Sequence, residues 1–117
     1  MERICFHLQV KPDRLSEYTK LHAAVWPTML EAIEASGRRN YSLFLRPDGL
    51  LIGYYETDDD AASQRSLELN PATAPWEAHM AEFFVSLDGR PDQSATRLTE
   101  IFNLEHQLSN QESQDLL

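Results

Sequence analysis

The chain has 117 residues, 42% of them hydrophobic, which supports one domain with its own core and leaves little room for two. Its 10 Lys and Arg stand against 19 Asp and Glu, a net charge of −9 that argues against a phosphate-backbone partner, so no nucleic acid is expected, because nucleic-acid binders gain affinity by setting clustered cations on phosphates. The same balance counts mildly against anionic ligands and favours a neutral one.

No run approaches the roughly 20 apolar residues that a membrane helix needs, so no membrane partner is expected. Cys5 is the single cysteine and has no intrachain disulfide partner. A cysteine-poor acidic chain with no signal peptide reads as cytoplasmic.

Residues 3–10 alternate, with Ile4, Phe6, Leu8 and Val10 on one side and Cys5, His7 and Gln9 on the other, which predicts a strand with one buried face. Lys11-Pro12-Asp13 breaks it, and Asp13 is a candidate helix cap with Glu17 in the first turn. Leu15, Tyr18, His22 and Val25 then follow helical spacing. Pro27 suits the start of a second helical segment, because its missing N–H costs nothing in a first turn. Met29, Leu30 and Ile33 give that segment an apolar side, and Gly37 is a natural stop.

Asn40 to Leu45 and Leu50 to Thr57 predict two strands joined by the Pro47-Asp48-Gly49 turn, a hairpin. Asp58-Asp59-Asp60 opens an acidic-capped helix that reaches about Leu69, and Asn70-Pro71 ends it. Trp76, Met80, Phe83, Phe84 and Leu87 keep a helical period, and Thr96 to Leu104 predicts the last strand. From Glu105 to Leu117 the chain is polar and aperiodic and reads as a flexible tail after a single domain over residues 1–104.

The order β-α-β-β-α-β is the ferredoxin-like arrangement, an α+β sandwich with helices on one side of the sheet. The strand Leu50-Leu51-Ile52-Gly53-Tyr54-Tyr55 is apolar on both sides. Its second side needs cover, which predicts a two-fold homodimer; the alternative is a monomer whose tail lies over the sheet.

Tyr18 and His22 stand four apart, so a phenol and an imidazole share one helix face inside an apolar stripe. Imidazole gives and takes protons near neutrality; the bland alternative is two core residues with satisfied polar atoms. Trp26 and Trp76 offer aromatic faces of the kind that pack on sugar C–H patches, or they fill the core. Asn40-Tyr41 opens a strand where a polar pair lines a cleft, or else marks a turn and an edge aromatic. His7, His79 and His106 show no metal-ligand spacing, so no metal is expected. Glu77 and Glu82 flank Met80 and have the pattern of solvated carboxylates. Cys5 reads as packing, and the four scattered glycines form no phosphate loop.

These pieces form an ordered set: Tyr18-x-x-x-His22-x-x-x-Trp26-Pro27, then Gly37-x-x-Asn40-Tyr41-Ser42-Leu43-Phe44-Leu45, then Trp76-x-x-x-Met80, then Glu100-x-Phe102. In order and spacing the chain resembles the L-rhamnose mutarotase family over about residues 1–104. The resemblance implies a dimeric ferredoxin-like fold of the dimeric α/β-barrel type. It implies an isomerase that interconverts the α and β anomers of L-rhamnose or a related aldose without a cofactor, and a small neutral monosaccharide as partner. By resemblance His22 matches the family's catalytic proton donor, and Tyr18, Tyr41 and Trp76 match its sugar-binding positions, with Trp26, Asn40 and Met80 in support. One departure stands out, since family members usually carry two adjacent tryptophans where this chain has Trp76-Glu77. Glu77 removes an aromatic wall and adds an acceptor for sugar hydroxyls, which leaves the preferred sugar open. The alternative is a ferredoxin-like ligand-binding or monooxygenase domain with the same aromatic cleft, or a domain for dimerisation alone, with Tyr18 and His22 sealed inside.

Overall fold

The computed structural model describes residues 1–85 and 91–115. Four strands form one antiparallel sheet: β1 Glu2–Gln9, β2 Arg39–Leu45, β3 Leu50–Thr57 and β4 Thr96–Leu98, in spatial order β2-β3-β1-β4. Helices α1 Leu15–His22, α2 Pro27–Ala35, α3 Asp60–Leu69 and α4 Thr73–Ala81 fill the two crossovers. This is the ferredoxin-like α+β sandwich, with each crossover broken into two helical segments. A short helix, α5 Pro91–Ser94, precedes β4, and α6 Leu104–Asp115 follows it. Among the described residues no helix is long and apolar enough to cross a membrane.

The alternation in β1 acts as expected. Phe6 lies opposite Gly53, Leu8 opposite Leu51 and Ile4 opposite Tyr55, so these six share the face under the helices. Gly53 is required by close approach, because a methyl group at its Cα would land on the Phe6 ring. The main core lies between that face and the helices, around Val10, Tyr18, Met29, Leu51, Leu67, Trp76 and Phe83. The other face of β3, including Ile52 and Tyr54, is only half-buried, and Phe44 of β2 is 64% exposed.

Helix ends follow local chemistry, with one correction. Asp13 does not cap α1: a 3-10 turn over Pro12–Arg14 comes first, Arg14 is the N-cap without a side-chain bond, and it pairs with Glu17 at 3.0 Å instead. Pro27 does open α2, and Trp26 before it is extended, as a residue preceding proline prefers. Asp59 caps α3, its carboxylate accepting the Ala62 N–H at 3.0 Å.

The fourth helix and fourth strand are shorter than their apolar patterns suggest. α4 stops at Ala81, and Phe84 pairs with Val10 as an isolated bridge rather than continuing the helix; Leu87 lies outside the described residues. Phe83 and Phe84 are both buried all the same, so their spacing marks the core and not the helix. β4 ends at Leu98, not Leu104. Its register sets Cys5 opposite Leu98, and the line ends with an Arg3–Glu100 ion pair at 3.1 Å. Ladder pairing ends at Leu98 although β1 continues to Glu2, and beyond it the side chains of Arg3 and Glu100 still meet. Ile101 and Phe102 are 93% and 61% exposed. The polar segment beyond them is helical through Asp115, and its Leu104 and Leu108 are 53% and 43% exposed, so they are not packed down over the sheet.

β2 carries the irregularity that shapes the site. Arg39 pairs with Glu56 and Ser42 with Tyr54, so three steps of β2 match two steps of β3. The extra residue is a β-bulge, and Asn40 within it takes a left-handed conformation with φ of 51°. A bulge reverses the phase of alternation upstream. Tyr41 and Leu43 face the helices, and before the bulge it is Arg38 that turns inward: Arg38 is 7% exposed, whereas the Arg39 side chain is 54% exposed.

Candidate active site

Three elements bring the predicted residues together. The last turn of α1 supplies His22, the bulge of β2 supplies Asn40 and Tyr41, and the first turns of α4 supply Trp76 and Glu77. All five border one cavity of about 690 Å³, whose apolar walls include Met29 and Ile33 of α2 and Leu67 of α3. That volume is within the range usual for small-molecule sites. A hollow of about 70 Å³ also touches His22, Tyr41, Trp76 and Glu77 and adds Tyr18 and Met80. Trp26 lines neither space. It braces Trp76 edge-on at 5.0 Å and stacks on His79 at 5.8 Å.

The Tyr18 and His22 rings lie 4.1 Å apart between centroids, as four-residue spacing on a helix requires. His22 also meets the Trp76 ring edge-on at 5.5 Å. Tyr18 is 4% exposed and packs against Phe83 and Phe84; His22 is half-buried at the cavity wall. The two are therefore not sealed together in a cavity-free core.

His22 Nδ1 sits 2.9 Å from the Tyr18 carbonyl oxygen, one turn back. A carbonyl only accepts, so Nδ1 carries the hydrogen and the neutral ring keeps its lone pair on Nε2. Burial pulls the imidazole pKa below its ordinary value, and the bond to the Tyr18 carbonyl opposes that shift in part. Burial also drives the Tyr18 phenol well up, helped by the charge of Glu77, so Tyr18 keeps its proton. Glu77 corrects its own expectation, being 8% exposed and at the cavity rather than solvated; Glu82 is the exposed one. Among the described residues no group of His, Cys, Asp or Glu could hold a metal ion.

Sequence reasoning missed Arg38, which borders the large cavity, lies 4.0 Å over the Tyr55 ring and donates from Nε to Ser63 Oγ at 2.7 Å. Nothing in the residue pattern announces the bulge that turns it inward.

An antiparallel α+β sandwich that sets an imidazole, a phenol, an indole and a carboxylate around one concavity has the form of a small-molecule-binding domain. The family model for L-rhamnose mutarotase matches residues 3–104. The chain is 36% identical over 107 residues to an L-rhamnose mutarotase of Listeria monocytogenes serotype 4b, covering 89% of this chain and 99% of that protein. It is 31% identical over 106 residues to one from Oceanobacillus iheyensis, covering 90% of this chain and 100% of that protein. The solved structure of an L-rhamnose mutarotase from Formosa agariphila superposes with a TM-score of 0.72 at 22% identity over 89% of this chain and 99% of that one, a likeness of fold. The chain belongs to the L-rhamnose mutarotase family. It is by that membership an isomerase that interconverts sugar anomers.

Proposed function

We propose that the cavity binds L-rhamnose or a closely related neutral aldose and that His22 carries the proton that opens and closes the ring. The observation that carries this reading is the Nδ1 contact to the Tyr18 carbonyl, which leaves Nε2 of a neutral imidazole as the nitrogen for substrate. In the forward step Nε2 takes the proton of the anomeric hydroxyl while the C1–O5 bond breaks and the aldehyde forms. The imidazolium then returns the proton to O5. Rotation about C1–C2 and the reverse sequence close the other anomer. No electron or group is transferred, so the chemistry itself calls for no cofactor. A positioned acid–base group contributes about 10²–10⁴-fold to such a step.

Tyr18, its phenol kept neutral by burial, orients the imidazole and donates to the anomeric oxygen. Tyr41 and Asn40 hold hydroxyls from the strand side, Glu77 accepts from them, and the face of Trp76 packs on the C–H side of the ring and its 6-methyl group. Trp26 braces Trp76 edge-on, and Met80 borders the smaller hollow beside it. The half-buried apolar face of the sheet, with Phe44 exposed on it, supports a homodimer formed face to face. The cysteine-poor, acidic composition supports a cytoplasmic location.

The test is NMR saturation transfer between the anomers of L-rhamnose, fucose and other free aldoses with the wild-type chain. Exchange of at least one of them well above the spontaneous rate is expected. If every aldose in the panel exchanged at its spontaneous rate, the site would be a binding module and not a mutarotase.

A further inference from the structure

We propose that Arg38 contacts the substrate and selects among aldoses, its guanidinium donating to a sugar hydroxyl remote from the anomeric centre. The inference rests on the mutarotase reading of the same cavity and extends it to a residue outside the recognised motif.

Arg38 is buried, and its Nη2 has no hydrogen-bond partner. The rest of the group is fixed: Nε donates to Ser63 Oγ, itself wholly buried, and the guanidinium lies 4.0 Å over Tyr55 and 5.9 Å from Tyr41. A buried guanidinium N–H without an acceptor is costly, and natural structures keep such a group where a ligand or an ordered water completes it. The side chain borders the large cavity together with Tyr41, and it also borders a hollow of about 40 Å³ that His22 does not touch. The hollow beside Tyr18, conversely, includes His22 and not Arg38. Both residues border the large cavity, and each also borders a smaller hollow, lined by Tyr41 as well, that the other does not touch. A pyranose in that cavity with its anomeric carbon at His22 would offer its far hydroxyls to Arg38. The bulge at Asn40 is what turns this position inward, so the feature is built into the backbone as well as the side chain.

The experiment is anomer exchange of the best aldose and of its 3-deoxy and 4-deoxy analogues by wild type, Arg38→Gln and Arg38→Lys. Removing the contacted hydroxyl should slow wild type about tenfold or more, the usual scale for losing a hydrogen bond to a charged group. Arg38→Gln should erase that preference to within about twofold and leave the preference at the other position intact. Thermal melting of both variants separates loss of fold from loss of selectivity. A second readout needs no variant: the ¹⁵N resonances of the Arg38 guanidinium in the wild-type chain should shift on adding the 1-O-methyl glycoside, which binds but cannot mutarotate. Wild-type exchange with unchanged deoxy discrimination in Arg38→Gln, or an unmoved Arg38 signal on saturation with the glycoside, would overturn the assignment and leave Nη2 to a trapped water. Failure of wild type to exchange any aldose would instead remove the mutarotase reading on which it rests.

Discussion

Burial at the end of α1 disfavours the charged form of His22, and the Tyr18 carbonyl and the helix C-terminus favour it; burial is the larger effect, so the imidazole titrates below its ordinary midpoint. Two outcomes follow from the sign of that shift. A base must be neutral, so enzyme-catalysed exchange, corrected for the spontaneous reaction, should be flat from pH 8 through about 6.5 and fall only below it. A midpoint clearly above 6.5 would contradict the environment described for His22. Folding is linked in the same direction: because the unfolded imidazole binds its proton more readily, the stability that His22 contributes is intact above about 6.5 and is lost as pH falls through the lowered midpoint. The spacing of Tyr18 and His22 made their shared helix face legible, whereas their roles as site residues came from the family resemblance. The placement of Glu77 stayed open, because a carboxylate one residue after Trp76 has the same pattern whether it faces water or a cavity, and its reading as a sugar acceptor came only through the departure from the family's paired tryptophans.

The strands were legible where alternation was regular, and the site turns on the place where it is not. Asn40 holds a conformation that β-branched residues adopt only with strain. Asn40→Gly should leave stability within a few tenths of a kcal/mol, whereas Asn40→Val should cost about 1–2 kcal/mol by thermal or urea denaturation and displace Tyr41. Equal stability of the two variants would show that the bulge is not held by this residue. At Gly53 a single added methyl meets the Phe6 ring, so Gly53→Ala should destabilise by about 1–3 kcal/mol even though strands tolerate alanine. β4 is shorter than its composition suggests: Thr96 to Leu104 reads as strand, but ladder pairing stops at Leu98 opposite Cys5 although β1 continues to Glu2, and no local pattern carries where pairing ends.

At the scale of the molecule, the apolar character of both faces of β3 was visible in the sequence, and the half-buried outer face agrees with it. If that face is covered by a second copy, sedimentation should give the mass of two chains, and Phe44→Asp should give the mass of one. A wild-type monomer at micromolar concentration would remove the dimer. The helix α6 was not legible, since its residues have no apolar period, and helicity there does not depend on an apolar face. The family match ends at residue 104, and relatives matched over essentially their whole length are about that long. Truncation after Leu104 should therefore keep anomer exchange within about threefold of wild type, on the footing that surface elements away from the site contribute little.

The proposed chemistry is proton transfer by one imidazole facing a sugar-sized cavity. Saturation transfer between the anomers of the best substrate, compared for wild type and His22→Asn at neutral pH with both chains shown folded by circular dichroism, tests it most directly. A fall of about 10²-fold or more in the catalysed exchange rate is expected; exchange at the wild-type rate in folded His22→Asn would show that His22 does not carry the proton.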